Sequence, residues 1–341
     1  MQIKELTKND IIRWNDFVFQ QLDATFFHRA EWKEVVERAF NQSMYFLYAE
    51  DNGEIQGILP LGHVKSRLFG NSLISLPFYV YGGVVSKNKE AHHALTDKAK
   101  NLAKELNVDC LEMRHINQQY SDWAVKSDLY ARFRKEMDPD PEVNLKNIPR
   151  KQRAVVRKGI SAGLRSEYDE NVDRFYESYA LTLHTHGTPA FPRKLFHILK
   201  EVFKQDCDIL SIYKENNLVA SLMSFYFRDE VLPYYAGTSA DARQYKAHDF
   251  MYWELMRRSC EKGYRWFDYG RSKVGTGPYS FKKNWGFEPE PLNYEYFLVN
   301  AKEVPDVNPN NPKYKLFIKA WQKMPFAMTK VIGPYIIRNL G

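Results

Sequence analysis

Apolar and polar positions along the chain change period from two to about three and a half, and those changes divide it into elements. Met44 to Glu50 alternates as a strand, Asn52-Gly53 supplies a tight turn, and Ile55 to Val64 returns as its partner, because Asn-Gly adopts the positive φ that a two-residue hairpin turn requires. Leu73 to Leu76 predicts a third strand, which runs into Pro77 to Gly83. Asn88 to Leu106 predicts a helix and Asp109 to Arg114 the strand after it. Ahead of the hairpin, residues 1 to 43 predict a first strand and two helices, with Trp32, Val35, Val36 and Phe40 spaced for one helix face.

The same order returns later in the chain. Ile209 to Lys214, a turn at Asn216-Asn217 and Leu218 to Phe227 form a second hairpin; Val231 to Gly237 is its third strand, His248 to Lys262 the helix and Trp266 to Asp268 the strand that follows. LPFYVYGG from 76 matches LPYYAGT from 232, and CLEMR from 110 matches FDYGR from 267, at offsets of 156 and 157. An offset that steady predicts one supersecondary unit used twice. The expected fold is α/β in the α+β sense: two tandem units, each a mixed, mainly antiparallel sheet flanked by helices. The first covers residues 1–145 and the second 146–300, and 301–341 forms a C-terminal amphipathic helical tail.

One stretch stands out from this regular pattern. FDYGRSKVGTGPYSFKKNWGF, Phe267 to Phe287, opens as a strand and runs into glycines at 270, 275 and 277 and a proline at 278, which regular structure does not accept. Arg271, Lys273, Lys282, Lys283 and the single acid Asp268 alternate with Phe267, Tyr269, Tyr279, Phe281, Trp285 and Phe287. Aromatics at this density pack, so the segment predicts a built site where a strand ends in a polar turn before a helix.

Composition narrows the partners. The net charge of +7 and pI near 9.0 favour an anionic partner. Aromatic residues make up 15% of the chain, and Cys110, Cys207 and Cys260 are too scattered for a metal or redox motif, which fits thiols in a reducing compartment. Met1 to Asp16 lacks an apolar leader core, and the uncharged run Leu68 to Ser86 is broken by Gly and Pro, so the expected location is cytoplasmic, at most peripheral to a membrane.

Lys146 to Arg165 holds seven Lys or Arg and no acid, with Arg150, Arg153 and Arg157 on one helical face and Val156, Ile160 and Leu164 available to pack. This is either a solvated face or an anion clamp, since Arg binds phosphate through two parallel donors. Asp169 to Thr185 predicts a helix ending in His184-Thr-His186-Gly-Thr188-Pro. Its two His diverge and no carboxylate stands at ligand spacing, so no metal is expected. In the tail, Leu316, Phe317, Ala320, Trp321, Met324 and Met328 interleave with Lys315, Lys319, Lys323 and Lys330, which fits a helix packed on its own domain or one lying in a membrane interface.

The duplicated hairpin, strand, helix and strand unit resembles the GNAT acyltransferase fold, and two such units carrying FDYGRSK and FKKNWGF resemble the FemAB family. The resemblance is closest to the branch associated with exosortase and exopolysaccharide loci and strongest from Lys151 to Tyr296. It implies transfer of an acyl or aminoacyl group from an activated donor, aminoacyl-tRNA or an acyl thioester used as co-substrate with no bound cofactor. The acceptor it implies is an amine of a cell-envelope precursor, in peptidoglycan or a polysaccharide. Phe281-Lys282 with Trp285-Gly286 matches the family's Phe-Lys and aromatic-Gly motif, and Asp268 its strand-ending acid. The chain lacks the coiled-coil arm of tRNA users and the pyrophosphate-binding glycines of acetyl-CoA users, Arg243 to His248 standing in that place. Two rivals stay open: acyl-CoA or acyl-carrier transfer to an amino sugar, and a non-catalytic module that binds nucleic acid or a membrane surface.

Amide formation needs an oriented neutral amine and a cation or N–H donor for the oxyanion. The catalytic candidates are Asp268, to orient or deprotonate the amine, and Lys282, for the oxyanion. The substrate-binding candidates are Arg271, Ser272, Lys273, Lys283, Tyr235, Tyr81, Arg150, Arg153, Arg157 and Thr188.

Overall fold

The computed structural model describes residues 1–66, 70–304 and 312–339. Leu68, at the head of the uncharged run, and residues 305–311 and 340–341 of the tail lie outside the described residues. In chain order the elements begin with β1 (Gln2–Glu5), α1 (Ile11–Gln20), α2 (Glu31–Phe40), β2 (Ser43–Asp51), β3 (Glu54–Ser66), β4 (Gly70–Ser75), β5 (Val85–Ser86), α3 (Lys89–Glu105), β6 (Cys110–His115) and β7 (Ala124–Lys126). There follow β8 (Tyr130–Glu136), α4 (Pro141–Asn147), α5 (Arg150–Ser161), β9 (Leu164–Tyr168), α6 (Val172–His186), α7 (Arg193–Phe203), β10 (Cys207–Lys214), β11 (Asn217–Phe227) and β12 (Glu230–Thr238). The remainder is α8 (Ala242–Tyr245), α9 (Ala247–Glu261), β13 (Trp266–Lys273), α10 (Gly277–Asn284), β14 (Glu290–Pro291), β15 (Asn293–Leu298), α11 (Pro312–Lys323) and α12 (Phe326–Ile337).

Two compact units form. Unit 1 holds Met1–Tyr130, Pro291–Asn308 and Ile336–Gly341; unit 2 holds Ala131–Glu290 and Pro309–Tyr335. The sheet of unit 1 runs β1-β2-β3-β4-β6-β15-β7 and that of unit 2 β14-β8-β13-β12-β11-β10-β9. In each, a hairpin and third strand pair antiparallel, a helix crosses over, and the next strand returns parallel to the third. That is the repeat read from sequence, with the same pairing directions. The strand beyond it was not read: β15 lies beside β6 although it follows β13 in the chain, and β8 lies beside β13 although it follows β6. Each unit is therefore completed by a strand from the other half of the chain, a crossover absent from a linear division at 145/146.

Helix α3 starts where the Asn88 side chain accepts the amide of Ala91, which satisfies one of the orphan donors of a first turn. It buries Leu95, Ala99 and Leu102 against Leu59, Leu61, Leu111 and Met113 of the sheet. In unit 2, α9 lays Phe250, Met251 and Leu255 in one cluster with Leu210, Ile212, Leu222, Val231, Phe267, Tyr269, Trp285 and Phe287. The aromatics of the motif thus lie in or against core, as their density predicts. Ile160 departs from the helical reading of the basic segment. Val156 and Gly159 are buried in α5 but Ile160 is 43% exposed, because α5 stops at Ser161 and the chain turns at once into β9.

The third strand of unit 1 ends at Ser75, and Leu76 to Val84 leaves the sheet with Leu76, Phe78 and Tyr81 in left-handed backbone. Buried polar groups hold this loop. Arg114 donates to the carbonyls of Tyr79 at 2.7 Å and Leu76 at 3.5 Å. The Gly83–Val84 peptide is gripped at both ends: His28 Nε2 donates to Gly83 O at 2.9 Å, and Val84 N donates to His115 Nε2 at 3.0 Å. A side chain at Gly83 would start 2.1 Å from the His115 ring. Since His115 Nε2 accepts, its proton is on Nδ1, which donates to Glu295 at 2.9 Å; the other Glu295 oxygen accepts the amides of Gln119 and Tyr120 at 2.9 and 2.6 Å.

Glu295, fully buried on β15, is therefore a strong structural determinant of unit 1. Glu295→Ala would strand the two buried donors of His115 and Tyr120 and is expected to cost about 2 kcal/mol or more, at 1–3 kcal/mol per unsatisfied group, the Gln119 amide being nearer solvent. Glu295→Gln, which keeps an acceptor, is expected to cost less. Urea unfolding checks the ranking, and equal losses in the two variants would contradict it.

Candidate active site

β12 spans nine residues and β13 eight, yet they pair only at Glu230/Trp266 and Val231/Phe267. Past that point the parallel strands part. β12 stays bound to β11 as far as Thr238, while beyond Val231 it no longer pairs with β13. Gly270 then bends β13 with φ of 67°, a conformation that costs glycine little. The bend breaks the alternation of carbonyl directions. Tyr269, Gly270 and Arg271 all accept from Lys282 Nζ, at 2.7, 3.2 and 3.2 Å.

Lys282 comes from α10, whose start is set by Thr276 and by Pro278 in the first turn, where proline's missing N–H costs nothing. The side chain is buried, and its ammonium lies 5.5 Å from the Phe133 ring centre. Burial pushes its pKa down to about 7, opposed by the Asp268 charge and assisted by that of Arg271. The three carbonyls favour the protonated form. Asp268, 1% exposed, takes the Gly270 amide on Oδ1 at 2.7 Å and the Arg132 guanidinium on Oδ2 at 2.8 and 2.9 Å. Arg132 and Arg134 both reach Glu230, at 3.4 and 2.7 Å, and Arg134 stacks 3.7 Å over Trp266. Burial and then the Asp268 charge push the Glu230 carboxyl upward.

Asp268, Arg271 and Lys282 therefore meet at one bend, as the sequence suggests. Ser272 follows on β13 with a buried hydroxyl that has no partner among the described residues. Lys273 is half-buried beside it, and Lys283 is exposed, 6.0 Å over Tyr279. Tyr235 is placed elsewhere in unit 2, in an aromatic cluster with Tyr179, Phe191, Phe196, Phe225 and Tyr234 at ring distances of 4.8 to 6.5 Å. Tyr81 belongs to the core of unit 1, edge-on to Phe27 at 5.9 Å. Thr188 is exposed just past the end of α6. Arg150, Arg153 and Arg157 line one groove of about 480 Å³ with Ala154, Lys158 and Ser161. The groove begins beside the motif: a side chain added at Gly286, after α10, would stand 3.0 Å from Pro149. No cluster that would hold a metal is present among the described residues.

Several functional neighbours were not legible in advance. Arg132 is 136 residues from Asp268, and only the alternation of Arg132, Phe133 and Arg134 hinted at a strand there. Gln152 of α5 donates to Asp249 of α9, tying the basic helix to the helix that packs in one core cluster with Trp285 and Phe287 of the motif. His248, edge-on to Phe281 at 4.8 Å, is pushed down to about 4 by burial and then by the charge of His186.

Comparison with known proteins agrees with the fold. Residues 144–283 match the family model described as Acetyltransferase (GNAT) domain. FemX superposes with a TM-score of 0.68 at 15% identity, over 93% of this chain and all of that one. The chain has a tandem GNAT fold. The tandem GNAT protein from the clavulanic acid biosynthesis pathway aligns with a TM-score of 0.53 at 11% identity, over 89% of this chain and 99% of its own. The values for L-PGS from Bacillus licheniformis are 0.56 and 11%, over 94% and 99%. No curated sequence matches the chain. The resemblance to a GNAT acyltransferase is thus shown for residues 144–283, and the tandem GNAT architecture for the whole.

The Lys282 environment makes a pH prediction. Its pKa is about 7 when folded against 10.5 as the ordinary value. Below pH 7 both states hold the proton and the burial cost is fully present; from about 7 to 10.5 the unfolded chain binds more protons, so stability rises with pH. The stability of wild type relative to Lys282→Met is expected to climb across that window in urea titrations. A flat difference would show that the carbonyls keep the ammonium charged throughout.

Proposed function

We propose that the protein is an N-acyltransferase that moves an acyl or aminoacyl group from an activated donor to an amine of a cell-envelope precursor. The observation that carries this is the bend of β13, where the Lys282 ammonium meets three carbonyls just beyond the point at which β12 and β13 stop pairing. Where two parallel strands separate, an extended donor arm can add along a strand through main-chain hydrogen bonds. The ammonium, paired with no carboxylate among its hydrogen bonds, supports a role in meeting the negative charge that develops. In the reaction the neutral amine attacks the donor carbonyl carbon, the C–N bond forms and charge gathers on the carbonyl oxygen. The C–O or C–S bond then breaks and the amine proton leaves with the departing group. Lys282 stabilises the oxyanion by turning one N–H from a carbonyl toward it. Asp268 acts by holding the Gly270 bend and Arg132, which is a positioning role.

The basic groove of α5, starting beside α10, supports a donor or acceptor that carries phosphates, and Arg271, Lys273 and Ser272 stand nearer the chemistry. The likeness to FemX and L-PGS supports aminoacyl transfer, and the sequence resemblance supports an exopolysaccharide or peptidoglycan acceptor. Among the described residues no helix is long and apolar enough to cross a membrane.

The test is product formation, read by mass spectrometry, with envelope precursors or amino sugars as acceptors and either charged tRNA or acyl thioesters as donors. Loss of product on ribonuclease treatment selects tRNA, and survival with a thioester selects the carrier-dependent route. No amide with either donor would overturn the proposal.

Kinetics then separate the residues. Lys282→Ala is expected to lower kcat by about 10²- to 10³-fold with a smaller change in KM, as for loss of an oxyanion donor, and wild-type turnover is expected to fall as pH rises through about 7. Arg153→Ala and Arg157→Ala are expected to raise KM, less so at high salt. Unchanged kcat in Lys282→Ala would remove it from the mechanism.

A further inference from the structure

Helix α12 is bound to unit 2 by one face and leaves an apolar stripe on the other. On the bound face Thr329 and Gly333 are buried, a side chain at Gly333 would stand 3.2 Å from Ala190, and Lys330 pairs with Glu177 of α6 at 2.8 Å. On the outer face Met328, Val331 and Tyr335, spaced i, i+3 and i+7, are exposed by 48%, 65% and 62%. Helix α11 is also bound to unit 2, Gln322 donating to Thr185 O at 2.8 Å and Ile318 resting on Gly187. Its Lys319 and Lys323 are exposed. From Pro312 to Gly341 the sequence has Lys313, Lys315, Lys319, Lys323, Lys330 and Arg338 and no Asp or Glu.

We propose that the exposed face of α12, with the cations of α11, is a docking surface for an anionic lipid bilayer. An exposed apolar stripe in an acid-free, lysine-rich segment is what an interfacial helix presents: the stripe enters the headgroup boundary and the lysines meet lipid phosphates. The charge selects this occupant. A second copy of the chain meeting this face about a two-fold axis would bring two acid-free basic segments together, whereas an anionic surface neutralises them. A neutral partner would use the stripe and gain nothing from the lysines. The proposal is independent of the acyl-transfer reading, since it rests on residues of α11 and α12 that the reaction does not use.

Co-sedimentation of the full chain with phosphatidylcholine vesicles, alone or with about one-third phosphatidylglycerol, tests it, each lysine at the surface contributing on the order of fivefold in partitioning. Wild type is expected to bind the anionic vesicles, to bind neutral ones at least about tenfold more weakly, and to release as salt rises. Met328→Asp/Val331→Asp is expected to lose most of that binding while keeping its circular dichroism and melting temperature. Lys319→Glu/Lys323→Glu gives the same readout at fully solvated positions, should the first pair unfold the tail. Equal partitioning of wild type and both variants would overturn the proposal. So would lysine-independent binding to neutral vesicles, or a wild-type dimer in light scattering that the apolar substitutions abolish.

Discussion

Three successive carbonyls turned onto one ammonium organise unit 2. In an unbroken strand, neighbouring carbonyls point to opposite sides, and Tyr269, Gly270 and Arg271 converge because Gly270 is left-handed. The bend, the start of α10 and the position of Lys282 are therefore one device. Asp268 secures it from the strand side, one oxygen on the Gly270 amide and the other on Arg132. Lys282 thus carries the positive charge and also holds the carbonyls of the bend that presents it.

The two units use the same order of elements to different ends. In unit 1 the segment after β4 leaves the sheet and is stitched into the core by Arg114, His28, His115 and Glu295. Those groups are committed to main-chain partners and to each other. In unit 2 the corresponding stretch remains strand, and the parallel pair separates after two residues. At the repeat offset of 156 Tyr79 corresponds to Tyr235, but this divergence sets Tyr79 in the loop between β4 and β5 and Tyr235 in a strand.

The repeat was legible because hairpin turns, strand alternation and helix caps are local and were duplicated together. Lys282 and Asp268 were legible as members of a dense motif, and Arg150, Arg153 and Arg157 as one face of a helix. The Asp268–Arg132 pair was not, because nothing local to either residue encodes a partner 136 positions away. The fate of Ile160 depended on where α5 stops, and the places of β8 and β15 depended on edge complementarity between distant strands, to which periodicity is blind.

That exchange of strands has a consequence for how the chain is made. The outer edge of β6 is synthesised long before β15, and Glu295 emerges 180 residues after His115, the side chain it must meet. At 5–20 residues per second the wait is on the order of ten seconds or more. During that time the sheet of unit 1 presents an open edge of the kind that recruits foreign strands. Vectorial folding, in which an N-terminal domain is finished before the next is translated, is closed to this topology. A gene cut between the two halves would yield two fragments each missing a strand, competent only when reunited.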